Sequence, residues 1–158
     1  MKQPLFVDQK LLDSVSTSAA SSARKRKNYN FHEADQALSH RLLNAVEPDS
    51  YIAPHRHLDS EKDETMVALR GKIGIVFFDE SGQVTGTVQL EPNGAVVAVN
   101  IPYGTYHSLV ALEPGCVFFE SKAGPYEPLT PDEKATWAPS ENASEAAAYL
   151  AKMRALFA

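Results

Sequence analysis

Between residues 65 and 121 the apolar positions fall into short runs: Thr65–Leu69, Ile73–Phe78, Val84–Leu90, Ala95–Ile101, Thr105–Leu112 and Cys116–Ser121. These runs are rich in β-branched and aromatic side chains, which suit the pleated, half-buried surface of a sheet. Turn-forming groups separate them: Asp79-Glu80-Ser81-Gly82, Glu91-Pro92-Asn93-Gly94, Pro102-Tyr103-Gly104 and Glu113-Pro114-Gly115. Glycine and proline at such points reverse the chain at little steric cost. Evenly spaced short strands predict a closed barrel or a double-sheet sandwich, not alternating β-α units.

The pattern changes period on both sides of this zone. Asp8 is placed to cap a helix that carries Leu11, Leu12, Val15 and Ala19 on one face and ends near Arg24-Lys25-Arg26-Lys27. A second short helix is expected over Ala34–Asn44. Downstream, Thr130-Pro131-Asp132-Glu133 has the form of a capping box with proline at the first helical position. A last helix, predicted over Asn142–Leu156, carries an apolar stripe of Tyr149, Leu150, Met153, Leu156 and Phe157. That stripe is expected to pack on the barrel or on a second subunit, and a homodimer is expected. The predicted organisation is one structural domain: an N-terminal helical or extended segment over 1–46, the barrel over 47–127 and a C-terminal helical segment over 128–158.

Composition narrows the function classes. A chain of 158 residues is long enough to bury a core as one domain. The net charge of −5 gives no global field for nucleic acid. The basic run at 24–27 reads as a solvated helix end, its cations near the negative end of the helix dipole. The single cysteine, Cys116, excludes an internal disulfide and reads as a small core residue. No apolar run is long enough to span a membrane. The N-terminal stretch MKQPLFVDQK lacks the apolar segment of a secretory signal. A cytoplasmic protein without nucleic-acid or membrane partners is expected.

The candidate chemistry begins at PHRHLDSEKDE, residues 54–64. On a strand, His55 and His57 would project to one face and could share an ion. Glu61 and Glu64 both follow as possible carboxylate ligands. Glu64 opens the next strand and is preferred, because a strand aims it rigidly whereas Glu61 sits in a turn. His107 enters its strand directly after the Pro102-Tyr103-Gly104 turn. Together these groups would form a site of three imidazoles and one carboxylate, with positions open to water or substrate.

These residues also carry a family resemblance. PHRH, with six residues between Glu64 and Gly71, is similar to the first cupin motif. Gly94 followed by Pro102-x-Gly104-x-x-His107 is similar to the second. Asn28-Tyr-Asn-Phe-His32, Arg41-Leu-Leu-Asn44, Phe78-Asp79, Phe119-Glu120-Ser-Lys122-Ala-Gly-Pro-Tyr126 and Trp137-Ala-Pro139 resemble the WbuC-like cupin metalloproteins. The resemblance covers about residues 24–139 and implies a mostly β protein built on one cupin barrel, a jelly roll of six to eight strands. It further implies one divalent transition metal (zinc, iron, manganese or nickel) on His55, His57, Glu64 and His107. The sequence departs from the cupin pattern in the longer interval between His57 and Glu64, and in Ala111 where the second motif often has asparagine.

Lys62, Tyr103, Glu120 and Lys122 are the candidate catalytic groups. Lys62 shares strand parity with Glu64, against the alternative of a solvated loop lysine. Glu120 and Lys122 share one face of a strand and either line the barrel mouth or form a surface pair. His32 and His40 are not expected to be ligands, and Arg56 is expected on the face opposite the two histidines. The WbuC-like resemblance implies a sugar or sugar-nucleotide-like small molecule of surface-polysaccharide metabolism, with isomerase or epimerase chemistry. A non-catalytic carbohydrate-binding cupin and an iron-dependent oxygenase stand as alternatives.

Overall fold

The computed structural model describes residues 3–158. Eight strands follow the first helix: β1 (Arg26–Asn30), β2 (Ser39–Val46), β3 (Glu64–Arg70), β4 (Ile73–Phe78), β5 (Val84–Leu90), β6 (Ala98–Ile101), β7 (Tyr106–Ala111) and β8 (Cys116–Ala123). Helix α1 spans Gln9–Ser21 and α2 spans Ala146–Ala155. The strands form a five-stranded sheet ordered β1-β2-β8-β3-β6 and a three-stranded sheet ordered β5-β4-β7, with every described pair antiparallel.

The two-residue period of the strands sorts their side chains. Val46, Met66, Ala68, Cys116 and Phe118 of the larger sheet meet Ile73, Ile75, Leu90, Leu109 and Ala111 of the smaller one between the sheets. The alternate residues are covered from outside. Leu43, Ala45 and Val117 lie under Leu12, Val15 and Ala19 of α1. Val76, Phe78 and Val110 lie under Ala146, Leu150 and Met153 of α2. Tyr149, Leu150, Met153 and Phe157 of the C-terminal stripe therefore pack on the chain's own barrel, while Leu156 stays exposed. Phe157 extends this cover and lies so close to Gly74 that a Cβ there would stand 2.5 Å from its ring.

Three sequence-based expectations change. The first helix ends at Ser21, short of the basic run. The Ser22 hydroxyl accepts from the Arg26 amide at 3.1 Å, which draws the chain out of the helix, and Lys25 turns it at a φ of 55°. Arg26 is drawn in by Glu141 at 2.7 Å, whereas Arg24, held by the same carboxylate at 2.8 Å, stays exposed and Lys25 Nζ donates to the Ala20 carbonyl at the helix end at 2.8 Å. The helix expected over Ala34–Asn44 is absent, and Ser39–Val46 is a strand between β1 and β8. Helix α2 begins at Ala146, not at Asn142. Among the described residues no helix is long and apolar enough to cross a membrane.

The inner surface is graded. Apolar side chains fill the space around Ile73, Ala111 and Cys116. In the same inward-facing rows, polar groups follow toward the other end: Asn44 and His40 on β2, Glu120 and Lys122 on β8, Glu64 on β3 and His107 on β7. The strands deliver these groups to one end of the barrel.

Two glycines with a left-handed backbone separate conformational strain from crowding. A Cβ at Gly71 (φ +76°) would stand 2.6 Å from Cys116 Sγ, whereas one at Gly104 (φ +78°) meets nothing within 4 Å. Gly104→Ala is expected to cost about 1–2 kcal/mol, from backbone strain alone. Gly71→Ala is expected to add roughly 1–3 kcal/mol of overpacking to that. Denaturant unfolding of the two variants checks the ranking.

Candidate metal centre

His55 sits on a short rail at the edge of β7. Its amide donates to the His107 carbonyl at 3.0 Å, and the His107 amide donates back to His55 at 2.9 Å. The C-terminal segment supports the rail's other side: the Arg56 amide donates to the Glu133 carbonyl at 2.9 Å and the Ala135 amide to Pro54 at 3.2 Å. His55 is thus paired on both sides, to His107 and to Lys134, although it belongs to no longer strand. The reciprocal pairing places the His55 and His107 rings side by side, with centroids 4.8 Å apart, and His57 follows at 5.5 Å from His55.

Glu64 opens β3 and is only 2% exposed. One ligand atom from each of His55, His57 and Glu64 lies within 4.8 Å of the others, so this trio can hold a metal ion. His107 stands next to it, with Nε2 2.7 Å from Glu64 Oε2. Glu61, by contrast, is exposed in the turn, and its amide donates to Asp59 Oδ1.

The hydrogen bonds on the far side of the rings fix their polarity. Nδ1 of His55 donates to the Ala53 carbonyl at 3.0 Å, and Nδ1 of His107 donates to the Thr105 carbonyl at 2.9 Å. A carbonyl only accepts, so each Nδ1 carries a proton; Nε2 of the neutral His55 keeps a lone pair, while Nε2 of His107, whose pKa Glu64 raises against the effect of burial, faces Glu64 with a proton or offers its lone pair to an ion. This is the outer support that metal-bound histidines usually have. Glu64 Oε2 and His107 Nε2 are both buried, and neither has a hydrogen-bond partner of acceptable geometry among the described residues. Two lone pairs at 2.7 Å repel unless a proton or a cation stands with them. Donors about 2.1 Å from one ion, at right angles to each other, would be about 3 Å apart. The residues fit a divalent ion.

Electrostatics around the centre are uneven. Burial, and then the neighbouring His107, lower the pKa of His55 to about 3, which keeps it neutral and able to ligate. Burial alone would push the Glu64 carboxyl up, but His107, His57 and the Lys122 ammonium hold it well below the usual range. His57 Nε2 lies 3.1 Å from Glu64 Oε1, and Lys122 Nζ donates to the same oxygen at 2.9 Å. Lys122 also reaches Glu120 Oε1 at 3.1 Å, and Asn44 Nδ2 donates to Glu120 Oε2 at 2.7 Å. Burial raises the pKa of Glu120 despite Lys122, and the charge of Glu64 adds to the rise.

The catalytic candidates separate by position. Glu120 and Lys122 line a cavity of about 880 Å³ together with His55, Glu64 and His107. Lys62 is buried and lines a smaller cavity beside His55 and His57, which excludes the solvated-loop alternative. Tyr103 is half exposed on its turn and lines neither cavity; its amide donates to Asp63 Oδ1. Arg56 lies over the Tyr106 ring, 4.3 Å from its centre, and pairs with Glu80 on the outside. His32 and His40 stack at 4.0 Å and line the larger cavity without joining the centre. Asn44 escaped the sequence reading. Its parity with Leu42 and Val46 would have placed it inward had β2 been recognised.

Residues 7–90 match the family described as Domain of unknown function (DUF6016). The chain belongs to that family. No curated protein matches the sequence. Among solved structures, this DUF6016 chain is similar to KdgF from Halomonas sp., at 16% identity and a TM-score of 0.51 over 68% of this chain and 85% of that one. It is similar to a cupin superfamily protein from Desulfitobacterium hafniense, at 11% identity and a TM-score of 0.53 over 78% and 92% of the two chains. It is also similar to the polyketide cyclase RemF from Streptomyces resistomycificus, at 20% identity and a TM-score of 0.53 over 73% and 74%. At these identities the likeness establishes the cupin fold. It does not extend to the narrower WbuC-like family.

Because Glu64 is the buried carboxylate that faces the imidazoles, Glu64→Gln is expected to weaken binding of a divalent transition metal about 10-fold or more. Glu61→Gln is expected to leave it unchanged. Metal titration followed by calorimetry checks the pair, and the reverse ranking would move the centre into the loop.

Proposed function

We propose that the protein is a metal-dependent enzyme acting on a small sugar-derived molecule, with His55, His57, Glu64 and His107 around one divalent transition ion. The observation that carries the metal part is the orphaned pair of Glu64 Oε2 and His107 Nε2, buried 2.7 Å apart. When bound, such an ion supplies a Lewis acid that polarises a carbonyl or hydroxyl oxygen. The chain supplies the rest. Glu120 is a buried carboxyl on the wall of the large cavity, its pKa raised by burial, which suits a group that takes and returns a proton. Lys122 bridges Glu120 and Glu64, orients both and stays charged.

Proton removal beside a carbonyl, followed by its return, is isomerase or epimerase chemistry. The sugar assignment rests on the WbuC-like resemblance of the segments around Asn28–His32 and Phe119–Tyr126. A non-catalytic carbohydrate-binding cupin would use the same ion without Glu120.

Protein purified without chelators is expected to hold close to one equivalent of one transition metal by elemental analysis. Less than about a tenth of an equivalent, not restored by added metal, would sink the metal reading. A thermal-shift screen of sugars and sugar nucleotides then supplies a ligand, and exchange of its carbon-bound hydrogen in deuterated water is followed by NMR. Glu120→Gln is expected to slow exchange by about 10²-fold or more while the metal content stays unchanged. A ligand that binds the wild type at the metal but exchanges no hydrogen would favour the non-catalytic reading.

A further inference from the structure

The loop 58–63 joins His57 to Glu64 and folds back on itself. The Lys62 amide donates to the Asp59 carbonyl at 3.0 Å, and Asp59 Oδ1 accepts from the Glu61 amide at 3.0 Å. This turn sends the Lys62 side chain inward, where the residue is only 8% exposed. Its ammonium nevertheless makes no hydrogen bond among the described residues. Among the described residues, the one carboxylate oxygen within 4.0 Å belongs to Glu127, at 3.8 Å, on a side chain 72% exposed. An ammonium at the end of a largely buried stem, with no hydrogen-bonded partner in the chain, has its donors free for water or a ligand.

Lys62 lines a second cavity of about 210 Å³ with His40, His55, His57, Lys122 and Tyr126. Four of these, His40, His55, Lys122 and Tyr126, also line the large cavity, so the candidate metal centre borders both. The two lysines on the walls of the small cavity are not held equally. Lys122 is held by Glu64 and Glu120 at 2.9 and 3.1 Å. Glu127 also lines this cavity, but it faces Lys62 from 3.8 Å and is 72% exposed, so water screens its charge. Lys62 is therefore the loosely held cation of this wall, and a ligand with a single negative charge suits it. A carboxylate meets that requirement with two acceptor oxygens, whereas a phosphate brings close to two charges.

We propose that the small cavity is a carboxylate subsite anchored by Lys62, and that the substrate of the adjacent centre is a carboxylic acid. The subsite stands on the geometry of Lys62, while the link to chemistry rests on the metal-dependent reading above. Lys62 is then a substrate-binding residue and not a proton carrier. With the acid group held there, the atoms next to it lie toward His55 and His57, within reach of the centre.

The test titrates propionate, propionamide and inorganic phosphate against the full chain, once zinc-loaded and once chelator-treated, followed by amide NMR. Propionate is expected to bind both forms, at least 10-fold more tightly than propionamide and more tightly than phosphate. Lys62→Met removes the charge but keeps an apolar stem that packs. It is expected to weaken propionate binding about 10-fold or more in both forms, with zinc content unchanged, and Lys62→Arg is expected to restore part of it. Glu127→Gln removes the competing carboxylate and is expected to tighten propionate binding. Wild-type affinity in Lys62→Met would overturn the subsite, and tighter binding of phosphate would overturn its chemical class. A Glu127→Gln variant that loses thermal stability without tightening would show that Lys62 and Glu127 are a structural pair. Failure of zinc to bind the wild type would remove the metal reading alone, since the chelator-treated arm reads the subsite without it.

Discussion

The polar end of the barrel depends on the burial of one carboxylate. Glu64 is almost fully enclosed, and an ionised carboxyl in such a place is tolerable only if positive charge and hydrogen-bond donors surround it. His57, His107 and Lys122 converge on its two oxygens for that reason. Lys122 in turn draws Glu120 inward, and Glu120 takes a hydrogen bond from Asn44. One buried charge thus organises a network that reaches from β3 across β8 to β2. The end of the barrel that lacks such a group is filled with aliphatic side chains.

The backbone holds this network in register. The reciprocal hydrogen bonds between His55 and His107 seat the rail on β7, while Glu133 and Ala135 clamp its outer side. The segment after the barrel is therefore part of the site's scaffold. The 3₁₀ turn Pro131–Glu133 contributes further: Glu133 Oε1 accepts from the Leu58 amide at 3.0 Å, which fixes the chain just after His57.

Much of this was legible in the sequence where one physical rule governed the chain. The strands Ile73–Phe78 and Val84–Leu90 emerged at their observed bounds, because apolar runs met strong turn residues at both ends. Helix α1 declared itself through Asp8 and one apolar face. Ser39–Val46 was misread as helix because both of its faces are covered, Leu43 and Ala45 by α1 and Leu42 and Val46 by the interior. A strand buried on both sides shows no alternation, and its inward polar residues, His40 and Asn44, further blurred the signal. The convergence of His55, His57 and Glu64 followed from the paired histidines and from the place of Glu64 at the start of a strand, not from the interval after His57, which would have favoured Glu61. The burial of Lys62 did not, since it depends on a turn around Asp59 and on walls contributed by residues 123–129. The pairing of Arg24 and Arg26 with Glu141 spans more than 100 positions and left no local trace.

The separation of the ligands along the chain has a consequence for the order of assembly. His55, His57 and Glu64 lie within ten positions of one another, but His107 follows more than forty positions after Glu64 and reaches them only once β7 has docked against the rail. Closing so long a loop is slow compared with local turn formation. A nascent chain therefore presents an incomplete trio first and the third imidazole only on barrel closure. An ion held by this candidate centre would be retained tightly only by chains that have finished folding, so that loading and maturation would be a single event.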